Sequence, residues 1–403
     1  MAIRPVFAGD LGSRAHLRDP YPAYRQIRDL GSAVWLPRRR MWAIGRFDDV
    51  RAALRADSFL VSGRGVAANS VINRMTNPIT LTSDGDVHVR RREALMRPMT
   101  PGRLKELRPR LEREANALVA ELASGGEFDA MARFASHLPV TVVAELVGLS
   151  AAGRANMLRW AAATFNILGG INARWFASLP RMLGLRRYVF GLRRETLAPD
   201  GWAARLFQAA DAGVLSRDEA QAMVIDYVAP ALDTTILATG QMLWRLGTTP
   251  DAFAALRGEP ELIPGAVNES VRLASPIRSF TRYAAQDYVA DGVPIPKGSR
   301  VLVLFASANR DERRYTDPDR FDVRRNPRDH VGWGHGPHGC AGMHLARMEM
   351  EVLLESLVAN VERIDVGEPE LAWNNVLQGF SVLPARLHKA VDRRPTAIGE
   401  KQV

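Results

Sequence analysis

The chain has 403 residues, a single cysteine and a formal net charge of +10 carried almost wholly by arginine. One cysteine excludes a disulfide framework, no run of about 18 apolar residues supplies a membrane anchor, and residues 1–10 lack the segments of a signal peptide, so a cytoplasmic protein without a membrane partner is expected. The charge either reflects arginine on a solvated face or suits an acidic partner; nucleic acid is disfavoured, because no basic helix or aromatic-interleaved patch is present.

The length exceeds the roughly 250–300 residues at which single cores usually split. Yet no linker, composition shift or repeat marks a boundary, so residues 1–403 are read as one mostly helical domain with a small β region. Asp19-Pro20-Tyr21-Pro22 opens a helical pattern over 23–29. Residues 33–44 alternate in a strand-like way around Pro37-Arg38-Arg39-Arg40, which predicts a hairpin. Phe47 to Arg55 returns to helical period. From Ser62 to Thr82 the pattern dissolves into Gly, Asn, Ser and Thr, a long loop of the kind that is often functional. Residues 110–190 read as helices broken at Gly125-Gly126, Gly148 and Gly169-Gly170. Ser216 to Gly247 reads as one long helix with Pro230 inside it. A mid-helix proline costs about 3 kcal/mol and releases the carbonyl four residues back, here that of Asp226. Short strands are expected within 289–305 and a terminal hairpin over 374–387. The tail from Arg393 is expected to be unstructured.

The stretch His330 to Arg347 stands apart. It holds Cys340 among glycines at 332, 334, 336, 339 and 342, and the helical pattern of 343–357 follows it. Glycine lets a backbone turn sharply and approach a flat ligand. A thiol just before a helix N-terminus is favoured as a thiolate by the helix dipole and open N–H groups. A lone cysteine is most often an inert buried hydrophobe; the glycines and His338 beside this one argue otherwise.

The run Trp333-Gly334-x-Gly336-x-His338-x-Cys340-x-Gly342, then Leu345-Ala346, resembles the haem-binding loop of the cytochrome P450 superfamily. The pattern there is F-G-x-G-x-[HR]-x-C-x-G followed by L-A. Trp333 replaces the usual Phe and keeps an aromatic over the sulfur. The resemblance implies the cytochrome P450 fold, mainly α with a small β region, with haem buried between the central helix and the cysteine loop. It makes Cys340 the ligand of the haem iron, and Trp333, Gly334, His338, Gly342 and Ala346 its neighbours around the haem.

The stretch Asp84-Gly85-Asp86-Val87-His88-Val89-Arg90-Arg91-Arg92 is similar to the family's D-P-P-x-H-x-R-x-R. This implies that His88 and Arg92, which share a helix face, bind a haem propionate. Glu269-Ser270-Val271-Arg272 matches E-x-x-R, followed by Pro276 and Arg282 at family spacing. Glu269 and Arg272 are then structural and Arg282 is a propionate ligand. Ala229-Pro230-Ala231-Leu232-Asp233-Thr234-Thr235 matches the oxygen-site segment [AG]-G-x-[DE]-T. Asp233 and Thr234 are its acid–alcohol pair; Ala231 and Pro230 stand where smaller residues are usual.

At finer grain, Phe165-Asn166, Gly169, Asn172, residues 307–311 and Asn374-Asn375 resemble the bacterial P450s that oxidise para-substituted benzoic acids. Those enzymes carry hydroxyls where this chain has Asp226 and Ala229. The resemblance implies a monooxygenase that uses haem b and O2 to hydroxylate or O-demethylate a small, aromatic substrate. Leu81, Phe165, Leu168, Asp226, Ala229, Pro230, Ile277, Arg278 and Phe280 would line its pocket. Arg74 or Arg278 could meet a substrate carboxylate; Asp226 would repel one, so a neutral or weakly polar aromatic is preferred.

No G-x-G-x-x-G follows a strand, so electrons are expected from a separate ferredoxin with its ferredoxin reductase. Arg91, Arg97, His344 and Arg347 are candidates for the docking face. A monomer is expected. The alternatives are a peroxide-driven peroxygenase, which typically lacks the acid–alcohol pair, and a non-catalytic haem-binding protein.

Overall fold

The computed structural model describes residues 4–56, 59–63, 65–75 and 78–390; the tail from Arg393 lies outside them. Helices dominate, and the strands form a five-stranded sheet, a three-stranded sheet and two strand pairs. Helix α1 (Tyr21–Leu30) buries Tyr24, Ile27 and Arg28, an i, i+3, i+4 face. Arg28 can be buried because Glu312 lies 2.6 Å from Nη2 and the Ser307 hydroxyl 3.2 Å from Nη1. The expected hairpin is β1 (Val34–Leu36) with β2 (Met41–Ile44). Helix α2 spans Phe47–Arg55, with Asp48 and Asp49 in its first turn, where acidic side chains complement the dipole.

The expected long loop carries local structure. A short helix, α3 (Ser70–Arg74), and a turn over Thr80–Thr82 sit inside it. The Asn69 side chain caps α3 and donates to the carbonyls of Ile167 and Gly169 at 2.8 and 2.7 Å. Helix α4 (Gly85–Met96) follows, with Gly85 in the left-handed region at φ 56°. Helix α5 (Pro101–Ser124) buries Leu104, Leu111, Ala115, Leu118, Val119 and Leu122, a helical stripe. Helices α6 (Ala151–Leu168) and α7 (Ala173–Phe190) flank the break at Gly169-Gly170, and the Trp160 and Tyr188 rings join them at 4.9 Å.

The single helix expected over 216–247 is two helices, α8 (Arg217–Val228) and α9 (Asp233–Thr248). Pro230 has no N–H for the ladder and its ring crowds the preceding turn, so the chain leaves helical geometry and Leu232 sits at φ −110°. The 217–248 stretch has the length and apolar composition of a membrane span, but 67% of its most apolar window is buried inside the protein.

Helix α10 (Ile263–Ala274) leads into β3 (Phe280–Ala284) and β4 (Arg300–Val303). The large sheet runs β1, β2, β4, β3 and then the Leu60–Val61 strand. Within it β2 and β4 are parallel, with Trp42 opposite Val301. Helix α11 (Met343–Asn360) packs on α5, where the Ser356 hydroxyl donates to the Ala115 carbonyl at 3.3 Å.

The terminal hairpin expected over 374–387 does not form. Phe380–Val382 pairs with Glu370–Leu371, while β6 (Pro384–Lys389) pairs with β5 (Val361–Val366) and with Phe128–Asp129. Alternation marks these residues as strands, but their partners are set by tertiary packing.

Candidate functional site

The cysteine loop is built from two short turns, Val331–Trp333 and Gly336–His338. Gly336 has φ 68°, and a Cβ there would lie 2.4 Å from the Leu54 carbonyl oxygen, so only glycine fits. The Cys340 N–H donates to the Trp333 carbonyl at 2.7 Å and fixes the thiol over the start of α11. The accessible surface of Cys340 faces a cavity of about 460 Å³ that it lines. Burial raises its thiol pKa, and the N–H groups of Gly342 and Met343 together with Arg92 offset this only in part. A Cβ on Gly342 would meet no protein atom, so a flat ligand could lie against the loop there.

Basic side chains gather beside the sulfur, two arginines and His338, whose pKa burial lowers. Arg92 lines the cavity and donates to the Gly339 carbonyl at 2.7 Å. Arg282 lines it from β3 and donates to the Thr281 carbonyl at 2.9 Å; burial pushes its pKa down to about 10. His338 lines the cavity, with Asp84 3.7 Å from its Nε2. His88 stands behind it, ring centroid 4.2 Å from that of His338. Burial pushes the Asp84 pKa up, but hydrogen bonds from His338 and from the N–H groups of Ser62 and Gly63 outweigh it and hold the carboxyl below its ordinary value. This cluster fits a ligand with paired anionic groups: each charge-assisted bond is worth about 1.5–3 kcal/mol.

Across the cavity, Thr234, Thr235 and Ala238 line it from α9, and Thr234 Oγ1 donates to the Pro230 carbonyl at 3.0 Å. Asp233 does not line the cavity. It is the first residue of α9, and burial pushes its pKa up to about 7. The other walls bring together Leu81, Phe165, Leu168, Asp226, Ala229, Pro230, Ile277 and Phe280, as expected from the sequence. Asp226 is engaged with the overlying loop: Oδ2 accepts the Thr80 N–H at 2.8 Å, and the Leu81 N–H also reaches it. Burial raises its pKa to about 6, which these bonds and Arg91 partly offset.

Three expectations need correction. Arg278 does not reach the cavity; its guanidinium is buried and donates to the carbonyls of Asn374 and Leu17 at 3.0 and 3.2 Å. Arg74 is exposed on α3 and does not line the cavity. Arg91 is no surface residue either, since it pairs with Glu219 at 2.9 Å and is 11% exposed. For Arg278 and Arg91 the direction follows from acceptors far away in sequence. Arg97 and His344 are exposed, while Arg347 leans on Glu351 at 3.5 Å.

Glu269 and Arg272 form a fully buried bidentate pair at 2.7 and 2.8 Å. Arg272 Nη1 also donates to the carbonyls of Asn309 and Pro318, and Arg325 joins Glu269 at 3.1 Å. The asparagines matched at finer grain join the roof to the 374–378 segment. Asn375 bonds the Asn166 carbonyl and both amide groups meet at Asn172, while a Cβ on Gly169 would lie 2.3 Å from that of Asn375.

Sequence reasoning overlooked Glu349 and one face of α7. Glu349 lines the cavity from α11, is 1% exposed, and burial alone pushes its pKa up to about 8. Its place was open to reading, because 345, 346 and 349 share a helix face. The α7 face is Trp175, Leu179, Met182, Leu183 and Arg186, again at helical spacing.

A cavity with a thiol before a helix start on one wall, arginines beside it and a threonine across from it points to a class, and comparison with known proteins agrees. The family model for cytochrome P450 matches residues 197–366. Cytochrome p450 CYP199A2 of Rhodopseudomonas palustris is 34% identical over 93% of this chain and 92% of its own length. The beta-dihydromenaquinone-9 omega-hydroxylase of Mycobacterium tuberculosis is 33% identical over 93% of this chain and 77% of its own. Among solved structures, CYP108D1 of Novosphingobium aromaticivorans superposes with a TM-score of 0.81 at 25% identity, covering 93% of this chain and 95% of that one. This chain belongs to the cytochrome P450 family. It is a monooxygenase that binds haem b and uses O2.

Proposed function

We propose that the chain inserts one oxygen atom of O2 into a neutral, apolar substrate bearing an aromatic ring, with electrons from a separate ferredoxin and its reductase. The observation that carries this reading is that Cys340 and Thr234 line one cavity. Haem bound there supplies thiolate-assisted cleavage of the O–O bond. Cys340 would be its iron ligand, with Trp333, Gly334, Gly342 and Ala346 against it. Arg92 and Arg282 would offer charge and His338 a hydrogen bond to its propionates, with His88 behind His338. Thr234 holds a hydroxyl proton at the oxygen side. Asp233, with a pKa near 7, exchanges protons at working pH. Glu269 and Arg272 hold the segment that carries the cysteine loop.

The preference for a neutral substrate rests on charge. Asp226 is on the cavity wall, and Arg278 and Arg74 are turned away from it. An anion 4 Å from an ionised Asp226 is repelled by about 4 kcal/mol at an effective dielectric near 20. Phe165, Phe280 and Phe305 line the walls, and the Phe280 and Phe305 rings meet edge to face at 6.1 Å, a surface suited to an aryl group. With this reading goes a cytoplasmic, single-domain, monomeric protein.

The test is reconstitution with haem, ferredoxin, reductase and isotopically labelled O2. One labelled oxygen atom should enter methoxyarenes and their hydroxylated products, and the reduced, CO-bound protein should show the thiolate Soret band. A Soret band at the position of a neutral axial ligand, or turnover faster with hydrogen peroxide than with ferredoxin, would overturn the reading.

A further inference from the structure

The cavity does not end above the cysteine. Its lining extends to Val71, Ile72 and Met75 at α3 and to Leu179, Met182 and Leu183 on α7. The α7 residues on its wall run from 175 to 186, which at about 1.5 Å per residue is about 16 Å of helix. A single aromatic ring with a small substituent fills only the inner end of such a space. At the outer end Met75 and Leu183 are 68% and 67% exposed, so apolar side chains line the wall out to the surface, with the Arg186 side chain as the cation among them. Large apolar side chains left in contact at a cavity mouth mark a place where a ligand covers them. The methionines add conformational freedom suited to a flexible chain rather than a rigid ring system.

We infer that the substrate carries a long unbranched hydrocarbon tail, which lies along α7 while the oxidised group sits beside Thr234, on the side of the cavity opposite Cys340. The inference rests on the cavity being a monooxygenase substrate site. It concerns a part of the cavity lined by none of the haem-facing residues. The inner wall supplies the ring contacts, and the outer walls bury methylenes. Asp226, held by the Thr80 and Leu81 N–H groups, lines the same cavity, so the part of the substrate beside it is uncharged.

The test uses the haem-loaded protein and 4-alkylanisoles from methyl to decyl, with affinity read by the spin-state shift of the Soret band and by equilibrium dialysis. Each buried methylene is expected to tighten binding by up to about fourfold, with a plateau once the chain reaches Leu183. Leu179→Trp, and independently Met182→Trp, should collapse the decyl-to-methyl affinity ratio. A flat series in the wild type, or a steep one that neither variant changes, overturns the inference. Failure of the underlying reading looks different: the thiolate band would be missing, or no anisole would bind at all.

Discussion

Thr234 donates its hydroxyl proton to the Pro230 carbonyl, so its rotamer is set by the chain before any ligand arrives. Thr234→Ala should leave substrate affinity within about twofold and divert reductant to hydrogen peroxide. Product formed per NADH consumed checks this, and an unchanged ratio removes Thr234 from proton handling. Glu349 makes a separate prediction. Its carboxyl is shifted from an ordinary 4.5 to about 8, so the folded protein holds it protonated while the unfolded chain ionises above 4.5. Stability is therefore lost relative to an uncharged isostere as pH climbs from 4.5 through 8. Glu349→Gln should lie within about 1 kcal/mol of the wild type at pH 5 and exceed it at pH 7 by on the order of 3 kcal/mol. Urea unfolding of the haem-free protein at the two pH values measures it, and a pH-independent difference excludes the buried acid as the cause. Cys340, Arg92 and Thr234 were legible in the sequence because each sits in a motif that resembles the family's, and all three line the cavity. Arg278 was not, because its direction is fixed by carbonyls at 17 and 374, which no local pattern links to it.

Among the elements, the break between α8 and α9 follows from one side chain. Pro230→Ala restores an N–H opposite the Asp226 carbonyl, and the two helices should join. Stability should rise by roughly 1–3 kcal/mol, while Thr234 loses its acceptor geometry and coupling of reductant to product falls. Thermal unfolding and the product-to-NADH ratio together test this; a gain in stability with coupling intact would separate the break from the oxygen site. The sequence pattern located helices such as Phe47–Arg55 to the residue, because their buried positions repeat locally. It missed the pairing of β6 with β5 and with Phe128–Asp129, since strand alternation carries no information about the partner. It also merged α8 with α9: the apolar period continues through 229–232 even where the backbone does not.

For the molecule as a whole, of the basic residues proposed to meet a redox partner Arg97 and His344 are exposed, whereas Arg91 is spent on Glu219, so such a docking face would be smaller than the arginine count suggests. Ferredoxin-supported turnover should fall as salt rises from 0.05 to 0.5 M, because the Debye length shrinks from above ~10 Å toward ~4 Å. Peroxide-supported turnover in the same buffers should stay level, and equal insensitivity of both would assign the charge to the solvated surface alone. The parallel pairing of Trp42 with Val301 has a consequence for synthesis. The two residues leave the ribosome 259 positions apart, which at about 5–20 residues per second is roughly 10–50 s. Throughout that interval Met41, Trp42, Ala43 and Ile44, all buried in the finished sheet, have an unfilled edge. The nascent chain must be shielded by β1 and α1 on one side and by chaperones on the other, and ribosome-bound fragments ending before residue 300 should bind a trigger-type chaperone that the completed chain releases.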